Sequence, residues 1–315
     1  DGGTCVSSGV VVADGGMCSL IVAFAPTDSG VVSDTIELGY LNGVVDASVS
    51  RAVQGTGASR GFLTVSDGPT YDFGALTIGT STTTLLTVTN TGETAATLNT
   101  VTSDGLLLTA PFTRDGGTCV KDDIVAADGG ICTLAIVFAP TDAGIMNNTL
   151  DVSYNDSLST KHATRDVTGR GNSAAALTLS DAGYFGTVVI GAIAYRFVIV
   201  VNSGETAAVL GTVTTAGLNL AAPFSLDGGT CGTSGTVGSD GGTCALAIAF
   251  APSTSGAAND TVDLGYQNGV SDASASAPLT GVGASVAVLT VSDAGTYGNV
   301  IIGASAHQLF TVVNS

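Results

Sequence analysis

Apolar and polar residues alternate along the chain with a period of two, and one stretch does so three times. Cys132, Leu134, Ile136 and Phe138 fall on one side, and Thr133, Ala135 and Val137 on the other. Cys18, Leu20, Val22 and Phe24 repeat the pattern, as do Cys244, Leu246, Ile248 and Phe250. Successive side chains of a strand point to opposite faces, so this alternation predicts a half-buried β-strand ending in a core phenylalanine. Ala-Pro follows each time, at Pro26, Pro140 and Pro252, and proline cannot donate to a further ladder. Gly30, Gly144 and Gly256 then predict a turn into a second strand carrying Leu150, Val152 and Tyr154, or Ile36, Leu38, Tyr40 and Val262, Leu264, Tyr266. A last strand closes on Val53-Gln-Gly55, Val167-Thr-Gly169 or Leu279-Thr-Gly281. No stretch sustains a 3.6-residue period, and the chain is expected to be all-β.

The copies sit about 113 residues apart. Asp-Gly-Gly-x-Cys occurs at 1–5, 14–18, 115–119, 128–132, 227–231 and 240–244. Such a period is the size of a whole domain rather than a solenoid turn. Roughly seven or eight short strands per period predict tandem immunoglobulin-like β-sandwiches. The expected domains are a partial sandwich at 1–57 (its C-terminal half), complete sandwiches at 62–171 and 175–283, and a second partial one at 287–315 (its N-terminal strands). Gly55-Thr-Gly57, Gly169-Arg-Gly171 and Gly281-Val-Gly283 lack the lysine and helix of a phosphate loop and are read as inter-domain linkers.

Tyr71-Asp-Phe-Gly74, Ile78-Gly79, Thr87-Val-Thr-Asn-Thr-Gly92, the cysteine-bearing strand ending Phe138-Ala-Pro140 and the closing Thr-Gly-x-Gly occur in that order. The sequence resembles the choice-of-anchor D domains, bacterial surface relatives of the ASPM–SPD-2–Hydin and MSP-type sandwiches. The resemblance covers essentially every repeat and implies tandem modules of large secreted or wall-attached proteins, with no chemistry attached.

Half a sandwich exposes an apolar face and open strand edges. The end segments are therefore expected to pack with further chain, either the continuation of a longer repeat polypeptide or, as the alternative, another copy joined head to tail. Against the alternative, the two halves together lack the segment matching residues 204–226.

Composition narrows the function. The formal net charge is −18, from 26 acidic residues against 8 Lys plus Arg, which disfavours nucleic acid and anionic membranes. The apolar runs are too short for a membrane span. All six cysteines fall in the repeated pairs, thirteen positions apart, and two sulfurs make only half a zinc site. Disulfides Cys5–Cys18, Cys119–Cys132 and Cys231–Cys244 are expected, and with them an extracellular or cell-surface location. Asp-Gly is also tight-turn chemistry, and one aspartate flanked by glycines supplies too few oxygens for calcium. The better calcium candidates are the Ser-Asp turns at Asp67, Asp181 and Asp293.

His162 and His307 have no repeated Ser or Asp partner, Asp122–Asp123 occurs in one repeat, and no Gly-x-Ser-x-Gly elbow is present. Lys121 and Lys161 are too few for an isopeptide bond in every domain. Asn147, Asn155 and Asn259 begin glycosylation sequons, which a Thr-rich chain forms readily by chance. No cofactor and no enzymatic activity are expected. The reading is a structural component of an extracellular fibre or stalk, with an adhesin or glycan-binding module as the alternative.

Overall fold

The computed structural model describes residues 2–180, 183–292 and 295–315, and among these strands supply the regular structure apart from one 3-10 turn at Asp104–Leu106. Strands β1 (Gly30–Leu41) and β2 (Asp46–Gly57) pair antiparallel as a ribbon. Nine strands follow: β3 (Leu63–Val65), β4 (Thr70–Thr77), β5 (Thr82–Asn90), β6 (Ala96–Leu98), β7 (Phe112–Arg114), β8 (Ile124–Val125), β9 (Ile131–Phe138), β10 (Gly144–Asn155) and β11 (Thr160–Asn172). They form two sheets, ordered β3-β5-β9-β7 and β4-β11-β10-β6-β8.

The next nine are β12 (Leu177–Leu179), β13 (Tyr184–Val189), β14 (Ala194–Asn202), β15 (Ala208–Leu210), β16 (Phe224–Gly229), β17 (Thr236–Val237), β18 (Gly242–Phe250), β19 (Gly256–Gln267) and β20 (Asp272–Ala284). Their sheets run β12-β14-β18-β16 and β13-β20-β19-β15-β17, the order of the preceding set. The short ribbon of β21 (Leu289–Val291) and β22 (Val312–Asn314) comes last. The chain forms two compact units, one containing residues 82–138 and the other residues 170–315.

Each complete sandwich is held by the alternation read from its sequence. Leu134, Ile136 and Phe138 of β9 are fully buried, as are Leu246, Ile248 and Phe250 of β18. The Phe138 ring stacks on Phe112, centroids 5.0 Å apart, with Phe73 of the facing sheet at 5.6 Å. Phe250 does the same with Phe224 at 4.9 Å and Phe185 at 5.6 Å. Buried tyrosines and an asparagine find hydrogen-bond partners inside these cores. The Tyr154 hydroxyl accepts from Leu63 N–H at 3.2 Å, and Tyr266 from Leu177 N–H at 3.2 Å. Buried Asn90 accepts from the N–H groups of Phe62 and Gly92 and donates to the carbonyls of Thr94 and Val125.

β1, β10 and β19 begin at Gly30, Gly144 and Gly256, whose φ values of +114°, +113° and +117° suit glycine alone.

Two expectations need correction. The Gly-x-Gly segments are not linkers, because they lie inside β2, β11 and β20. A Cβ at Gly169 would stand 2.7 Å from the Phe138 ring, and one at Gly171 would stand 2.1 Å from the Asp142 carbonyl. Close approach of an aromatic ring and a turn, rather than flexibility, demands these glycines.

Residues 18–24 do not form the expected strand, and Phe24 is 51% exposed where Phe138 and Phe250 are wholly buried. β9 is paired on both sides, by β5 and β7. Among the described residues, the first segment has only an isolated Gly3–Leu20 bridge in their place. Its ring position is nonetheless the same, since a Cβ at Gly55 would also meet Phe24 at 2.7 Å.

Candidate functional site

The Asp-Gly-Gly motifs build a cystine-closed bracket at the start of the central strand. Cys5–Cys18, Cys119–Cys132 and Cys231–Cys244 are all bonded, with Cα–Cα distances of 4.9, 5.0 and 5.1 Å. The threonine before the first cysteine accepts a backbone N–H each time: from Ser19 to Thr4, Thr133 to Thr118 and Ala245 to Thr230, all at 2.9 Å. The second motif of each pair is a tight turn with positive φ at both central residues, as in Asp128 (+54°) and Gly129 (+96°) or Asp240 (+55°) and Gly241 (+92°). That is the type I′ signature of a hairpin turn. In the first motif, a Cβ at Gly117 would lie 2.3 Å from the Thr133 carbonyl. Both glycine pairs are accounted for by backbone geometry.

Asp67 is exposed at φ +61° and accepts the Ser66 hydroxyl at 2.7 Å. Asp181 and Asp293 lie outside the described residues. Among the described residues, no three His, Cys, Asp or Glu side chains gather as a metal set. Asp122 lies exposed in a turn, and half-buried Asp123 beside it accepts the Ile124 N–H.

His162 contacts both Asp151 carboxylate oxygens at 2.9 Å through Nδ1, on an exposed surface. His307 is exposed. An open hollow of about 410 Å³ is lined by Thr70, Asn147, Asn148, Thr149, Asp166 and Val167. Within it, Thr149 donates to Asp166 at 2.7 Å.

One buried charge anchors a turn. Asp156 accepts the N–H groups of Leu158 and Ser159 at 2.9 and 2.7 Å and faces Arg60 at 3.7 Å. Those donors hold its carboxyl below the usual range, Leu158 first, with a further contribution from Arg60. Asn268 makes the same turn with Val270 and Ser271, and Asn42 with Val44 and Val45.

Two apolar surfaces stand out. On the outer face of β14, Tyr195 and Phe197 are 52% and 65% exposed, and Ile199 continues the row. Opposite them on β18 are Ala249, Ala247 and Ala245. The hydroxyl of Tyr195 meets Asp227, which raises its pKa. The matching positions on β5 are Thr83, Leu85 and Thr87, so the row is particular to one sandwich. Reading only inward-facing aromatics missed it, although the buried Val198 and Val200 already set the phase of the strand.

The second surface is at the two ends. Leu20, Val22 and Phe24, and likewise Leu289, Phe310 and Val312, are exposed despite their core-like alternation.

No described helix is long and apolar enough to cross a membrane. No curated protein matches the chain. A Porphyromonas gingivalis W83 protein of unknown function is similar at 15% identity, over 70% of this chain and 99% of that one, with TM-score 0.30. The Vibrio cholerae VesB protease matches at 16% identity over 35% and 32% of the two chains, TM-score 0.29. The CsuC–CsuE pre-assembly complex from Acinetobacter baumannii Csu pili matches at 14% over 70% and 99%, TM-score 0.25. At these scores none of the three carries an argument. Residues 65–170, about a third of the chain and nearly all of the first complete sandwich, match the HYDIN/CFA65/VesB-like Ig-like domain family, and in that segment the chain is similar to an immunoglobulin-like domain.

Proposed function

We propose that the protein is a structural element of an extracellular fibre, stalk or surface filament, built from tandem immunoglobulin-like sandwiches with a period of about 113 residues. The observation that carries this reading is the residue-for-residue repetition of a complete core. Phe138 on Phe112 and Phe73 recurs as Phe250 on Phe224 and Phe185, each core with its own cystine. A string of separately stabilised domains spans distance and carries tension without needing a binding cleft. The choice-of-anchor D resemblance and three cystines support a surface location, because disulfides persist in oxidising surroundings. The strong acidity supports solubility outside the cell. In this reading the segments 1–57 and 287–315 are sandwich halves flanking the complete domains 62–171 and 175–283.

An adhesive or glycan-binding role is the second reading, favoured by the exposed row Tyr195, Phe197 and Ile199. Gold-labelled antibody on intact source cells tests the first reading directly. Label along filaments outside the cell is expected; label confined to the cell interior would refute it. Loss of surface attachment, with filaments intact, in a Tyr195→Ser, Phe197→Ser variant would shift the assignment to the second.

A further inference from the structure

Two of the three sequons fall on the same spot of the two complete sandwiches. Asn147 and Asn259 stand three residues after Gly144 and Gly256, the glycines that open β10 and β19, and Thr149 and Thr261 follow two residues later. In both strands the even-numbered residues point inward, with Leu150, Val152 and Tyr154 buried in β10 and Val262, Leu264 and Tyr266 in β19. The asparagine and threonine of each sequon therefore face outward, and all four are exposed.

The fold accounts for the rest of this tripeptide but not for its asparagine. The middle residue caps the next amide in every repeat: Asp34, Asn148 and Asp260 accept the N–H of Thr35, Thr149 and Thr261 at 2.7, 2.7 and 2.8 Å. The first position is Ser33 in β1, so the strand forms without asparagine there. Among the described residues the Asn259 side chain has no hydrogen-bond partner, and Asn147 accepts only the Thr168 hydroxyl, through Oδ1 at 2.7 Å. In each case the side-chain nitrogen is left over. The third sequon differs. Its Asn155 accepts the Ser157 N–H at 2.8 Å in the β10–β11 turn, and the matching positions are Leu41 and Gln267.

We propose that Asn147 and Asn259 carry N-linked glycans, one on the outer face of each complete sandwich. The proposal rests on the surface reading above, because the chain must pass a membrane-bound oligosaccharyl transferase on export. The donor class is a lipid-linked diphospho-oligosaccharide. Asparagine Nδ2 attacks the anomeric carbon of its first sugar, and a C–N bond forms as the C–O bond to the diphosphate breaks. The diphosphate leaves on the lipid, and Nδ2 gives up one proton. The threonine hydroxyl two residues on is what marks the acceptor. Transfer precedes ladder formation, while the tripeptide is still free to fit an enzyme. Since both positions face solvent, the folded sandwich then accommodates a bulky, hydrated chain with its core undisturbed.

The test is glycopeptide mass spectrometry on protein purified from its source cells, with electron-transfer fragmentation to place each mass increment. Sugar-bearing peptides are expected at Asn147 and Asn259, with Asn155 bare. Expressed in the same cells, Asn147→Gln and Asn259→Gln should each remove one of two glycan steps in apparent mass. Thr261→Val should remove the Asn259 glycan although the asparagine remains, and Thr261→Ser should keep it. These positions are exposed, so circular dichroism should be unchanged in every variant. Bare Asn147 and Asn259 in the native protein, a glycan on Asn155 alone, or a glycan at Asn259 that survives Thr261→Val would each overturn the proposal. Bare asparagines on protein that the antibody labels outside the cell would leave the fibre reading intact, so the two failures are distinct.

Discussion

At the residue scale, the core rests on a phenylalanine lying over a glycine. Truncating Phe138 to Ala removes a fully buried ring that touches two others and should cost the first sandwich about 3–5 kcal/mol, read from chemical denaturation. Gly169→Ala forces a methyl against the same ring and should cost about 1–3 kcal/mol. The two losses should be clearly less than additive, because removing the ring makes room for the methyl. Gly55→Ala should cost much less, since the half-exposed Phe24 ring is free to swing aside.

A second residue sets a pH dependence. The folded-state carboxyl of Asp156 is depressed, so its contribution is present above the unfolded value near 3.9 and is lost as pH falls through the folded value. Protection of the amides at the β10–β11 turn, relative to their intrinsic exchange rates, should fall below about pH 4 in the wild type. It should stay flat in Asp156→Asn, because Asn268 already holds the same turn in the second sandwich. Equal acid sensitivity in both proteins would remove Asp156 as the cause. Inward residues such as Leu134 and Tyr154 were legible in the alternation alone. The buried role of Asp156 was not, because one carboxylate beside two turn amides leaves no periodic trace.

At the element scale, each central strand is held at its start by a cystine bracket and at its end by Ala-Pro. Reducing Cys119–Cys132, or replacing both cysteines with serine, reopens a loop of about 14 residues and should cost roughly 3 kcal/mol in the chain-entropy model. Denaturation of oxidised and reduced protein measures it, and an unchanged midpoint would mean that the bracket's hydrogen bonds suffice. The Asp-Gly turns were readable from sequence because positive φ at two successive residues has a known signature. The Gly-x-Gly segments were misread because glycine spacing gives no hint of what lies beneath the chain. Only the Phe138 ring and the Asp142 carbonyl explain Gly169 and Gly171. Residues 18–24 carry the alternation of a strand without its ladder, since pairing requires neighbours that a local pattern cannot supply.

At the scale of the whole molecule, the claim is that complete sandwiches act as separate load-bearing links. Each has its own core, its own satisfied asparagine (Asn90 or Asn202) and its own locked loop. Stretching the full chain from its two ends in a single-molecule trap tests this most directly. Two unfolding steps of similar length are expected, one per complete sandwich. Reduction should lengthen each by about 40 Å, which is thirteen freed residues at roughly 3.5 Å each less the 5.0 Å already spanned by the cystine. A single cooperative step, or steps whose length ignores reduction, would contradict it.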